Sequence, residues 1–179
     1  MSLSMARSDA ELVYEHATEA FRADIEAEAY SQTLDSWGTD RADDLEALED
    51  AHDDESSSFQ WGNVGFQFED RGRDRGDELV PMAGVEPRDE PYIQDVAYDF
   101  AADYLIAVIN EIRRIEADTD YSSRQFVALV LSAADNTPEE VAASKMDISV
   151  GNYRGKVGDV RSKHETAQYT VKVTDKIQS

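Results

Sequence analysis

Three histidines, His16, His52 and His164, stand isolated in the chain, with no nucleophile and base arranged around any of them. Cysteine is absent, which removes disulfides, thiolate metal sites and cysteine nucleophiles together. Glu49-x-x-His52 has the i, i+3 spacing that carboxylate-bridged metals use in helical bundles, but that chemistry takes a second such pair and further glutamates. One copy is present. These residues point to binding rather than catalysis, with no cofactor and no metal.

The charges are more informative. The 179 residues carry 17 Lys plus Arg against 39 Asp plus Glu, a formal charge of -22 and a pI near 4.3. Every lysine lies between Lys145 and Lys176, where seven basic residues meet four acids, whereas residues 1–144 hold 10 arginines, 35 acids and a net charge of -25. An acid-rich, lysine-poor composition resembles that of proteins from salt-loving archaea. In molar salt the Debye length falls to about 3 Å, so self-repulsion is screened and only close contacts persist. The acidity then serves solvation, and the basic island needs its own explanation.

Within that island the stretch Thr137–Lys163 combines turn chemistry with charge. Thr137 and Glu140 have capping-box spacing. Val141, Met146 and Ile148 are placed to fill the angle between two helices, and Ser149 can cap the second. On that second helix Tyr153, Val157 and Val160 share one face at 100° per residue. Gly151, Gly155, Gly158 and Ser162 lie opposite, with Arg154 and Arg161 flanking them on one side and Lys156 and Lys163 on the other. A glycine in a helix costs about 1 kcal/mol relative to alanine, so three on one face call for an offsetting use.

Arg124-Gln125, Thr137-Pro138-Glu139-Glu140-Val141-Ala142, Met146-Asp147-Ile148-Ser149, Asn152-Tyr153-Arg154 and Lys156-Val157 together resemble the region 4 domain of bacterial sigma factors and the LuxR-type helix-turn-helix. The resemblance covers about a quarter of the chain. Asp147 stands where the family usually has glycine, which requires Asp147 to take a left-handed conformation, and Lys145 stands where the family prefers leucine. The resemblance implies double-stranded DNA as the partner and a role in transcription regulation. The residues expected at the DNA are Ser149, Gly151, Asn152, Arg154, Gly155, Lys156, Arg161 and Lys163. The alternative use of the glycine face is a second helix packed against it, in a protein-interaction or dimerisation module.

The elements that must position this motif are mainly α. Two domains are expected: a helical module over 8–118, with a polar and aromatic insert at 52–89, and a helix-turn-helix domain over 122–177 with a C-terminal extension. Ser8–Trp37 reads as one helix, capped by Ser8 and ended by Gly38, with a stripe at Val13, Ala17, Ala20, Ala27, Tyr30, Leu34 and Trp37. The opening MSLSMARS is set aside from the fold. Thr39 is placed to cap a short helix with Leu45 and Leu48 inward.

The run FQWGNVGFQF (59–68) is either a short hairpin or an ordered loop, and RGRDRGDE (71–78) either a salt-bridged loop or a phosphate-binding segment. Pro91 opens a helix to about Ala117 with a stripe through Val96, Phe100, Tyr104, Val108 and Ile112. Ser122 or Ser123 caps the next, which ends near Asp135-Asn136. Past Lys163 the positions Tyr153, Val157, Val160, His164, Ala167, Val171 and Thr174 alternate by four and three, a seam that predicts one long helix in preference to a strand at Tyr169–Thr174. It also allows a homodimer, and the N-terminal helices allow a protein partner. No apolar run approaches the ~18 residues of a membrane span, and no signal-peptide pattern opens the chain, so a cytoplasmic protein is expected.

Overall fold

The computed structural model describes residues 5–53, 66–70, 77–81, 91–134 and 137–178. The fold is mainly α. Its elements are α1 (Arg7–His16), α2 (Glu19–Asp40), α3 (Ala42–Asp53), β1 (Phe66–Asp70), β2 (Asp77–Pro81), α4 (Pro91–Ala117), α5 (Ser123–Ala133), α6 (Glu139–Lys145) and α7 (Val150–Gln178). None of the described helices is long and apolar enough to cross a membrane.

The chain divides into two units, residues 1–26 with 108–179, and residues 27–107. This division differs from the expected boundary near residue 120. It places α1 with the C-terminal helices because α1 packs on α5, an arrangement that local sequence does not encode.

In the unit 27–107, Trp37 is the anchor. Its indole Nε1 donates to Asp103 Oδ2 at 2.7 Å, its ring meets Phe100 edge-on at 5.1 Å, and the Arg41 guanidinium lies 4.1 Å from its centroid. Burying a large aromatic while giving its N–H a carboxylate is the combination that makes tryptophan an economical core residue. Ala29, Thr33, Leu48, Val96, Ala101, Tyr104 and Leu105 are buried in the same unit. Thr33 satisfies its hydroxyl within the helix by donating to the Ala29 carbonyl at 2.8 Å. The strands pair antiparallel, Phe66 opposite Pro81 and Asp70 opposite Asp77. Residues 59–65 and 71–76, on which the alternatives for the aromatic run and the charged loop turn, lie outside the described residues.

Several expected details are corrected. Ser8–Trp37 is two helices, because Ala17 is extended (φ -58°, ψ 143°). The break resets the helical phase, so Ile25, Ala29, Thr33 and Trp37 are buried at strict i, i+4 spacing, while Ala20 and Ala27 are exposed. Ser8 is not the cap; Ala6 precedes the helix without a side-chain bond. Gly38 and Thr39 lie inside α2, where the Thr39 hydroxyl donates back to the Asp35 carbonyl at 3.1 Å. Met5 belongs to the fold after all: its side chain is buried, and its carbonyl accepts from Arg113 Nε at 2.9 Å. The α4 helix spans the predicted Pro91–Ala117, with Val96, Phe100, Tyr104, Val108 and Ile112 inward.

Candidate nucleic-acid interface

Helices α5, α6 and α7 form a three-helix arrangement on which α1 also rests. The start of α5 is fixed by a reciprocal cap, in which Ser122 Oγ accepts from the Gln125 amide and Gln125 Oε1 accepts from the Ser122 amide. Phe126, Val127, Ala128, Val130 and Leu131 point inward from it, and the Phe126 ring meets Phe21 edge-on at 6.4 Å. The α5 helix stops at Ala133, short of the expected Asp135-Asn136, a pair outside the described residues.

The connection between α6 and α7 has the geometry of a glycine-type helix stop built on aspartate. The Ile148 amide donates to the Ala143 carbonyl and the Asp147 amide to the Ser144 carbonyl, each at 3.0 Å, with Asp147 at φ 53°. This paired closure satisfies carbonyls that the helix end leaves open, and it needs a left-handed residue at the first position past the cap. Asp147 is the one described non-glycine residue with positive φ, the conformation that the resemblance to helix-turn-helix domains implies for that position. Ser149 then caps α7, its Oγ accepting from the Asn152 amide at 3.2 Å.

The start of α6 and the filling of the angle differ from expectation. Thr137 and Glu140 do not form a capping box; Pro138 is the cap residue and makes no side-chain bond. Proline lacks an amide to offer, and its fixed φ closes the entry to the helix sterically instead. Ala142, Ala143 and Met146 are buried in the angle, while Val141 is 43% exposed and Ile148 half-buried. Two alanines let the short helix approach closely, which turns Val141 outward.

The described geometry of α7 gives the eight expected contact residues a common setting. Tyr153 and Val160 are buried and Val157 half-buried, so the opposite face turns outward. Ser149, Gly151, Asn152, Arg154, Gly155, Arg161 and Lys163 are exposed, and Lys156 is half-buried. A Cβ added at Gly151, Gly155 or Gly158 would meet nothing within 4 Å. The ridge is therefore open, and no described element of this chain uses the space the glycines leave.

Two of the basic residues have internal partners that sequence spacing did not reveal. Arg154 Nε donates to Glu139 Oε2 at 2.6 Å, across the angle between α6 and α7. Lys163 Nζ donates to the Asp120 carbonyl at 2.5 Å and to Gln125 Oε1 at 3.0 Å, over the Tyr121 ring. Glu139 and Arg154 are fifteen residues apart, and only the helix-turn-helix bend brings them together. Burial raises the Tyr153 phenol above its usual range, with Glu139 adding to the shift and Arg161 opposing it.

Arg124 was missed as a keystone. Its Nη1 donates to Asp9 Oδ1 at 2.7 Å and its Nη2 to the Met146 carbonyl, so one guanidinium ties α1, α5 and the turn before α7. A fork-shaped cation with five donors is suited to serving two acceptors at once. Lys145 Nζ lies 3.4 Å from Glu15 Oε1 on α1.

Among the described residues no three His, Asp or Glu side chains converge as metal ligands. His52 lies in α3, but its side chain is outside what the structure describes. No protein-family model, no curated protein and no solved structure matches this chain.

Proposed function

We propose that α5–α7 is a helix-turn-helix that binds double-stranded DNA, acting in transcription regulation in a high-salt cytoplasm, with the outward face of the first half of α7 entering the major groove. The observation that carries this reading is the open glycine ridge of α7 between basic residues. Three glycines forgo roughly 3 kcal/mol of helix propensity, and a groove wall that must come close to the backbone is a use for the space. Arg154, Lys156 and Arg161 reach phosphates on the groove edges, and Asn152 and Ser149 offer hydrogen bonds at the leading end. The activity is binding, without catalysis.

Residues 137–165 hold five basic and five acidic side chains, so this surface is neutral within a strongly acidic chain. Neutrality limits the electrostatic contribution to affinity and predicts a shallow salt dependence, a log–log slope of about -3 for three phosphate contacts. The same neutrality favours the second reading, a protein partner docked on the ridge.

Fluorescence anisotropy with genomic DNA fragments over a KCl series separates the two. Binding that is lost in the Arg154→Ala, Lys156→Ala double variant supports DNA. No binding by the unaltered protein at any KCl concentration, or binding indifferent to that double variant, rejects it.

A further inference from the structure

The second half of α7, residues 161–178, leaves the three-helix unit and is exposed along its whole length except for a half-buried Val173. Its composition does not suit a solitary helix. Thr166, Thr170, Val171, Val173, Thr174 and Ile177 are β-branched, six in eighteen residues, and each loses rotamer freedom against the preceding turn. Most helix stability in proteins comes from packing of one face rather than from propensity, and past Lys163 this segment packs on no described element. Tyr169, Val171 and Ile177 are 70%, 60% and 79% exposed. His164, Ala167, Val171 and Asp175 line a shallow groove. That groove lies on the stripe whose upstream part, Tyr153 and Val160, is buried against the chain's own helices.

We propose that this stretch pairs with the same stretch of a second copy of the chain, antiparallel, about a two-fold axis at Tyr169. Length and charge on the seam select this occupant. With Ala167 and Thr174 at one core position of the four-three repeat and His164 and Val171 at the other, antiparallel layers match His164 with Thr174 of the second copy and Ala167 with Val171. The paired segment then begins just past Val160, where burial by the chain's own helices ends, and runs towards the last helical residue, Gln178. Two tails of about 27 Å overlap along their length.

The flanking positions decide the direction. Antiparallel pairing sets Arg161 beside Asp175 of the second copy, twice by symmetry, and Gln168 beside Gln168. Parallel pairing sets Lys156 beside Arg161 instead, two like-charged contacts. The seam and the glycine ridge occupy opposite faces of α7 and share Arg161 at their border, so self-association is measured without DNA.

The chain has no cysteine, so single cysteines report geometry without background. In full-length protein without DNA, a short bismaleimide is expected to join Gln168→Cys chains into dimers and to leave Thr174→Cys chains single. Sedimentation should give a dimer for the unaltered chain and, for Ala167→Asp with Val171→Asp, a monomer whose loss of helicity is confined to residues 161–178. In 0.15 M KCl, Arg161→Asp and Asp175→Arg should each weaken self-association about fivefold to tenfold, and a mixture of the two should form the mixed dimer. A monomer at every concentration overturns the proposal, as does cross-linking through Thr174→Cys in place of Gln168→Cys.

Discussion

Arg124 and Asp9 meet at 2.7 Å although 115 residues separate them, and the same guanidinium reaches the Met146 carbonyl at the turn before α7. The Asp9 carboxylate is largely buried, its side chain 11% exposed against 35% for Arg124. The arginine offsets part of the hydration that a carboxylate loses in that position. The consequence reaches past stability: the turn that sets the direction of α7 is held from α1, a helix outside the three-helix motif.

Arg124→Ala should therefore do more than remove a surface charge. It leaves the Asp9 carboxylate buried without its cation and the Met146 carbonyl without that donor, at an expected cost of about 2–3 kcal/mol, discounted for the partial exposure of the arginine. Urea unfolding of the variant should show a lower midpoint with an unchanged slope. Asp9→Asn with Arg124→Ala should recover part of the loss, because the neutral amide costs less to bury. A double variant as unstable as the sum of its singles would show that the two residues act separately.

Gly155→Ala and Gly158→Ala should each stabilise the fold by about 1 kcal/mol, since both lie inside α7 and a methyl there meets nothing within 4 Å. Thermal unfolding measures this directly. The functional reading makes the opposite demand on the same variants: if the ridge approaches DNA, Gly155→Leu should weaken DNA binding while the folded domain remains intact. Stabilisation without any effect on DNA binding would place the contact elsewhere.

Arg154 is held by Glu139 at 2.6 Å, both side chains about half exposed. A carboxylate beside a phosphate-seeking arginine competes for it and also repels the phosphate. Glu139→Gln removes both effects, and DNA affinity should rise several-fold at low salt, with the gain shrinking as KCl is added. Unchanged affinity in Glu139→Gln, alongside loss in Arg154→Ala, would mean that Arg154 swings free of Glu139 at no cost.

Much of this architecture was legible because it is periodic. The α4 stripe, the buried Tyr153–Val160 face and the continuous helix through 168–174 follow from apolar spacing, whereas the left-handed Asp147 was expected only through the resemblance to helix-turn-helix domains. The break at Ala17-Thr18 was not legible, since an alanine-rich stretch keeps its spacing through a kink, and only the burial of Ile25 and Ala29 in place of Ala20 and Ala27 exposes it. Arg124–Asp9, Arg154–Glu139 and Lys163–Asp120 were equally hidden. They are pairings across the fold, and a chain with this many charges offers too many candidate partners for spacing to choose among. The expected cap at Thr137 failed for a local reason: Pro138 intervenes and takes the cap position itself.

His16 supplies the last prediction. Its Nε2 is buried with no hydrogen-bond partner among the described residues, and Glu15 Oε1, 3.4 Å away, forms an ion pair with the ring only when it is protonated. Burial holds the imidazole below its ordinary value of 6.5; Glu15 opposes this, while Lys145 and Arg22 push in the same direction as burial. Near pH 7 the ring is neutral in both folded and unfolded chains. As pH falls below about 6.5 the unfolded chain takes up the proton first, so stability is fully present above that value and declines through the window down to the depressed folded value. Denaturant midpoints measured between about pH 7 and 5, above the range where carboxylates titrate, should fall for the unaltered protein and stay flatter for His16→Phe. An equal decline in both would assign the acid sensitivity to other groups and leave His16 a packed ring at the end of α1.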